Sequence, residues 1–160
     1  HTVDTIVTGT NTGSLAGTGL TINITPKSST SVFLVKLTLG SFLSLSNGYW
    51  AGGRLCRDGN TIPAALAKSN TNTNYGTIDG YNAMWTTVQG RYYSANSQSV
   101  KPISFEFIDT VNNNATTTYA LYANSRPNST WALNSTHDNA TSADHPLQGI
   151  STITVMEIAQ

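Results

Sequence analysis

Over much of this chain, apolar and polar positions alternate with a period of two. In "LTINIT", Leu20, Ile22 and Ile24 fall on one side and Thr21, Asn23 and Thr25 on the other, the pattern of a half-buried strand. "VFLVKLTLG" is stronger still. Phe33, Val35, Leu37 and Leu39 share one face, while Val32 and Leu34 load the other, as in a strand covered in part on both sides. "ISFEFID" places Ile103, Phe105 and Phe107 inward, and "TTTYALYAN" does the same for Tyr119 and Leu121. The intervening "TVNNNAT" reads as a hairpin turn between them. "TVDTIVTG" and "AMWTTVQGRYYS" are further strand candidates. Asp58-Gly59 in "YWAGGRLCRDGNTIPAAL" is a hairpin signal, because two-residue turns favour φ > 0 at both central positions. "PAALAK" is the one helical-looking scrap and is too short to stand alone.

The closing run, "STITVMEIAQ", is apolar and β-prone almost to the last residue, where chains usually fray unless tied down. Ile153 and Val155 suit a core, while Met156 and Ile158 fall on the opposite face and make it apolar near the end. An exposed apolar patch on a polar protein marks an interface. Met156 and Ile158 are therefore expected to lie against a neighbouring subunit. These patterns predict an all-β, antiparallel β-sandwich or jelly roll without a long helix. Ile22, Val35, Leu37, Phe105, Phe107, Leu121 and Val155 are its expected core.

Composition agrees with this. The 160 residues suit one domain, 1–160, with residues 1–16 expected to be a strand and Gly-rich linker continuing from something longer. Apolar residues are 38% and charged residues 10%, the balance being largely Thr, Ser, Asn and Gly, which favour sheets and turns. Net charge is zero and eight Lys+Arg are scattered, so no basic face points to nucleic acid. No apolar run of about 18 residues suggests membrane insertion. The single cysteine excludes an intrachain disulfide.

Two polar stretches break the strand pattern, "KSNTNTNYGTIDGYN" and "NSTHDNATSADHPL". Unpatterned loops of this length are often functional. Tyr49, Trp50, Tyr75, Tyr81 and Trp131 border loops or strand ends, and such rings offer a flat face and a polar edge suited to a sugar. Trp50 and Trp131 read equally well as core or interface residues. Asn74, Tyr75, Asp79, Tyr81, His137 and Asp138 are the candidate recognition residues.

Other chemistry is weaker. Cys56 lies between Arg54 and Arg57, which favour a thiolate, but an inert strand cysteine is the preferred reading. His137, Asp138, Asp144 and His145 match no compact metal motif, so no metal or other cofactor is expected. Glu106 and Asp109 are near in sequence, like a glycosidase pair. The alternation instead makes Glu106 a surface acid and Asp109 a turn acid. With no nucleophile elbow, zinc-protease or phosphate-loop motif, no enzymatic activity is expected. Asn23, Asn114, Asn128, Asn134 and Asn139 begin glycosylation sequons, which matter only in a secreted eukaryotic protein.

The ordered segments "GTGLTINITPKSSTSVFLVKLTLG", "GGRLCRDGNTI", "FEFIDTVNNNATTTYALYAN" and "ISTITVMEIAQ" resemble the C-terminal domain of bacteriophage tail-fibre and related tail proteins, over about residues 17–160. The resemblance implies a homotrimeric β-sandwich on the virion, extracellular after release. It also implies contact with other tail proteins and attachment to a host cell-surface glycan or envelope protein. It carries no fixed catalytic or binding residue. The alternatives are a trimerisation or virion-decoration module without a receptor, and a secreted trimeric jelly roll of the tumour-necrosis-factor or C1q kind.

Overall fold

The computed structural model describes residues 1–5, 7–10, 15–44, 50–62, 77–78, 81–82, 85–88, 102–125, 130–135 and 149–158. In chain order the strands are β1 (Thr2–Val3), β2 (Val7–Thr10), β3 (Ala16–Ile24), β4 (Val32–Leu39), β5 (Phe42–Ser44), β6 (Trp50–Arg57) and β7 (Asn60–Thr61). There follow β8 (Thr77–Ile78), β9 (Tyr81–Asn82), β10 (Trp85–Val88), β11 (Ile103–Thr110), β12 (Thr117–Ser125), β13 (Thr130–Leu133) and β14 (Ser151–Ile158). All pair antiparallel, and the described residues contain no helix. The all-β expectation therefore holds.

The first sheet runs β1-β14-β4-β11, and the second runs β10-β6-β12-β3 with β7 also beside β6. They bury facing sides against each other, an arrangement compatible with a β-sandwich. Phe33, Val35, Leu37, Leu39 and Ile153 of the first sheet and Leu20, Leu55, Tyr119 and Leu121 of the second belong to one buried cluster. The Phe33 and Tyr119 rings meet edge to face across it, centroids 6.4 Å apart at 73°. Of the expected core, Val35, Leu37 and Leu121 are fully buried; Ile22, Phe105, Phe107 and Val155 are partly buried and pack against it. A third sheet, β2-β13-β5, contributes Phe42, Trp131 and Leu133 to the same core.

The closing strand is held by pairing on both sides. β14 lies between β4 and β1, with Ile153 opposite Leu37. The His1 ammonium donates to the Ile153 carbonyl at 2.9 Å, and the Ile153 N–H donates back to His1 at 2.9 Å.

Three readings need correction. "TVNNNAT" does not close a hairpin: β11 pairs with β4 in one sheet and β12 with β3 and β6 in the other, so the turn arches between layers. Period-two patterns give the faces of strands but not their partners, and Tyr119 and Phe105 each face the core from opposite sheets. Second, "KSNTNTNYGTIDGYN" is not all loop. Thr77 and Ile78 pair with Asn82 and Tyr81, leaving only Asp79 and Gly80 between them in sequence. Third, the stretch from Asn134 begins inside the fold, because Asn134 and Ser135 are buried. "PAALAK" lies outside the described residues.

The Asp58-Gly59 turn is as expected. Both residues have positive φ, 50° and 76°, and β6 and β7 pair on either side. β7 and β10 then share one edge of β6, since β12 occupies the other. Thr61 stands opposite Cys56 and Trp85 opposite Gly53. By count Ile62 stands opposite Leu55, so Arg54 alone separates the two pieces. In sequence, residues 63–84 separate the two pieces that lie along this edge.

Candidate functional site

The clearest built feature lies around Asn134, Ser135 and Gly149, the described residues on either side of 136–148. Asn134, at the end of β13, is fully buried with φ of 61°, a left-handed conformation that Asn tolerates better than most residues. Its Nδ2 donates to the Thr5 carbonyl at 3.1 Å, and its Oδ1 accepts from Ser151 Oγ at 2.6 Å. The Asn134 N–H donates to Ser41 O at 3.0 Å, and Ser41 Oγ donates to Ser135 O at 2.6 Å. Gly40 N–H completes the clasp on Ser151 Oγ at 3.1 Å. A Cβ on Gly40 would collide with the backbone of Gly149 and Ile150, and one on Gly149 with Gly40. Ser135 and Gly149, the residues flanking 136–148, are therefore both fixed at Gly40–Ser41. The polar run around Asn134 does not mark it as a buried residue; its burial is set by the partners Thr5, Ser41 and Ser151, which are distant in sequence.

Of the candidate recognition residues, Tyr81 lies in β9 with its backbone opposite Ile78. Asn74, Tyr75, Asp79, His137 and Asp138 lie outside the described residues, as do Tyr49, Asp144 and His145. Trp50 begins β6, its backbone opposite Val88. Trp131 takes the core alternative: it is 1% exposed and stacks on Phe42, centroids 6.0 Å apart and 20° between planes.

Met156 and Ile158 are 47% and 41% exposed on the outer face of the first sheet, as the alternation predicts. Their cross-strand neighbours on that face are Leu34 and Val32.

Glu106 and Asp109 point to opposite faces of β11, so they do not converge on a shared substrate. Glu106 is exposed opposite Lys36. Asp109 is buried and is not the turn acid expected. Its Oδ2 accepts from Arg57 Nη1 at 2.7 Å and from the Tyr119 hydroxyl at 2.7 Å. Arg57 Nη1 also donates to Thr110 O at 2.9 Å. Burial first, then the bond to Asp109, pushes the Tyr119 phenol well above its ordinary range. Arg57, Asp109 and Tyr119 form an inter-sheet pin. Cys56 is buried, and that burial raises its thiol pKa against the opposing pull of Arg54. This agrees with the inert reading.

At the opposite end from the Asn134 clasp, Glu157 Oε1 accepts from Lys27 N–H at 2.9 Å and from Ser31 Oγ. The Ser31 bond first, then the Lys27 bond, holds its carboxyl below the ordinary range. This latch ties the end of β14 to the turn entering β4.

No protein-family model matches the chain, and no curated protein matches it.

Proposed function

We propose that this chain is a host-attachment domain of a bacteriophage tail fibre, a homotrimeric jelly-roll sandwich without enzymatic activity that works on the virion outside the cell. Its partners are two further copies of itself, neighbouring tail proteins, and a glycan or envelope protein of the host surface. One observation carries the reading. The segments that resemble tail-fibre domains are those that form β3, β4, β6, β7, β11, β12 and β14, which are all the strands of the two facing sheets except β1 and β10. Most of the two polar stretches belongs to none of these strands in sequence. One follows Ile62, beside β6, in sequence and the other follows the Asn134 clasp, so both polar, hydrogen-bonding stretches are joined to well-packed strands.

Single contacts of hydroxyl and amide groups with a glycan contribute about 1 kcal/mol net, so one site binds weakly. Three copies on a trimer, and several fibres on a virion, raise avidity by about 10² to 10⁴ where spacing permits. The test replaces Tyr75 and Tyr81 with Ala and, separately, shortens the 136–148 stretch. Each variant should melt and assemble like the parent but adsorb poorly to host cells. Normal adsorption by both would favour the second reading, a trimerisation module, which the exposed Met156 and Ile158 also support. The secreted-jelly-roll reading has less support at one position: the Asn134 amide is buried and bonded, where no glycan fits.

A further inference from the structure

On one edge, β14 is paired along nearly its whole length: every residue from Thr152 to Ile158 stands opposite β4 without a register shift. Its other edge is paired over a shorter run. β1 covers Ser151 and Thr152, and His1 covers Ile153. From Thr154 onward, no strand among the described residues lies on that side. The direction of the free groups follows from the ladder. In an antiparallel pair, successive residues turn their N–H and C=O to alternate sides. Ile153 turns both to His1, donating to its carbonyl and accepting from its ammonium, each at 2.9 Å. Val155 and Glu157 therefore turn theirs the same way, in line with His1, while Thr154 and Met156 turn theirs to β4.

A regular open edge is a template for pairing, and folds blunt such edges with a bulge, a proline or a charge. β3, at the margin of the second sheet, is blunted by a bulge. Its register with β12 shifts between Ala120 and Tyr122, and Gly19 there has a φ of 78°. β14 from Thr154 to Ile158 has neither a proline nor a shift. Its one charged residue, Glu157, is held by the Lys27 N–H and Ser31 Oγ. Met156 and Ile158 stand exposed beside the open groups.

We propose that this edge is a strand-addition site, and that its occupant is the chain leading into His1, which continues β1 antiparallel to β14. The inference rests on the tail-fibre part of the reading above, in which a fibre leads into this domain, and adds the path by which it arrives. The geometry favours this occupant over a separate strand. β1 already sets the direction and the register, and a segment that continues it needs no turn. The position before His1 falls opposite Thr154, the second opposite Val155, the third opposite Met156 and the fifth opposite Ile158. The second and fourth exchange hydrogen bonds with Val155 and Glu157. The third and fifth lie on the outer face beside Met156 and Ile158, so apolar residues are expected there. A load on the incoming chain then falls on its ladder with β14 rather than on a flexible linker.

The test is amide hydrogen exchange on two proteins: the 160-residue chain, and the same chain with Val-Thr-Val-Val-Thr joined to His1. In the first, the Val155 and Glu157 amides should exchange about ten-fold or more faster than those of Thr154 and Met156, which face β4. In the second, protection at Val155 and Glu157 should rise by about ten-fold or more, with Thr154 and Met156 unchanged. Proline at the second position before His1 removes the donor to the Val155 carbonyl and should abolish the gain. Two results overturn the inference: amides at 155 and 157 already protected in the unextended chain, or no gain on extension. Protection that grows with protein concentration in the unextended chain overturns it too, and gives the edge to a second copy. No readout here involves host cells. An extended protein that gains protection but fails to adsorb therefore supports this inference and sinks the attachment reading alone.

Discussion

The Tyr119 hydroxyl on β12 donates to Asp109 Oδ2 on β11 across 2.7 Å, joining the two sheets beneath the turn that arches between them. Tyr119 is fully buried and Asp109 nearly so, while Arg57 reaches the same oxygen from the solvent side. The pin is thus a neutral donor and a charged donor sharing one carboxylate.

Tyr119→Phe should cost about 1.5–3 kcal/mol, the range for a hydrogen bond to a charged group. Asp109→Ala should cost about 3 kcal/mol, because it strips the partner from both donors. Denaturant midpoints should fall while the m-value holds, since the folded surface is unchanged. The pin also predicts alkaline sensitivity. The folded phenol pKa lies above its unfolded value of 10.0, so its contribution is complete below about pH 10 and is lost as pH rises from there. Tyr119→Phe should remove that loss; a variant that declines just as steeply would assign it elsewhere.

The Glu157 latch predicts the opposite dependence. Its folded pKa lies below the unfolded 4.5, so the latch contributes above that value and is lost as pH falls through the folded pKa. Melting temperature measured from pH 7 downward should therefore drop more in the parent than in Glu157→Gln. Ser31→Ala, which removes the leading cause of the shift, should flatten the curve in the same way. Equal slopes in all three proteins would show that the latch is not formed in solution.

At the clasp, Asn134→Ala leaves Ser151 Oγ and the Thr5 carbonyl without their partner and places Ala at positive φ. About 2–4 kcal/mol should be lost, from the unmade bonds and the left-handed backbone. Asn134→Gly loses the bonds but not the backbone fit, so it should be the less damaging of the two. Reversal of that order, by thermal or chemical melts, would show that φ at 134 is not under constraint.

Faces were legible in the sequence; partners were not. Period-two counting put Phe33, Val35, Leu37, Leu39, Ile153 and Val155 on the correct side, and it left Met156 and Ile158 outside. Alternation is a local property fixed by the pleat. It does not say that β11 and β12 separate into different sheets, since that depends on which edges are free when the layers meet. The same limit hid the clasp. Asn134 is polar and sits in a polar run, and only Thr5, Ser41 and Ser151, brought in from three other segments, make it a buried residue. One missed signal was present. Asp79-Gly80, flanked by Ile78 and Tyr81, has the chemistry already used for Asp58-Gly59, and the surrounding Asn and Thr concealed it.

The last prediction concerns residues 63–84. β7 and β10 lie on the same edge of β6, and only the position opposite Arg54 separates them. Replacing 63–84 with one residue should therefore join Ile62 to Trp85 as a continuous strand, with the register of both halves preserved. Ile62 is buried and must be kept. Loop length itself costs little, since each doubling adds only about 0.6 kcal/mol of closure entropy, so the shortened chain should be no less stable. It should unfold cooperatively, with β-type circular dichroism and the parent's oligomeric state. Asn74, Tyr75, Asp79 and Tyr81 are removed with this segment, and host adsorption should be lost with them. A shortened chain that loses cooperative unfolding would make 63–84 part of the frame. One that folds and still adsorbs normally would leave recognition to the 136–148 stretch alone.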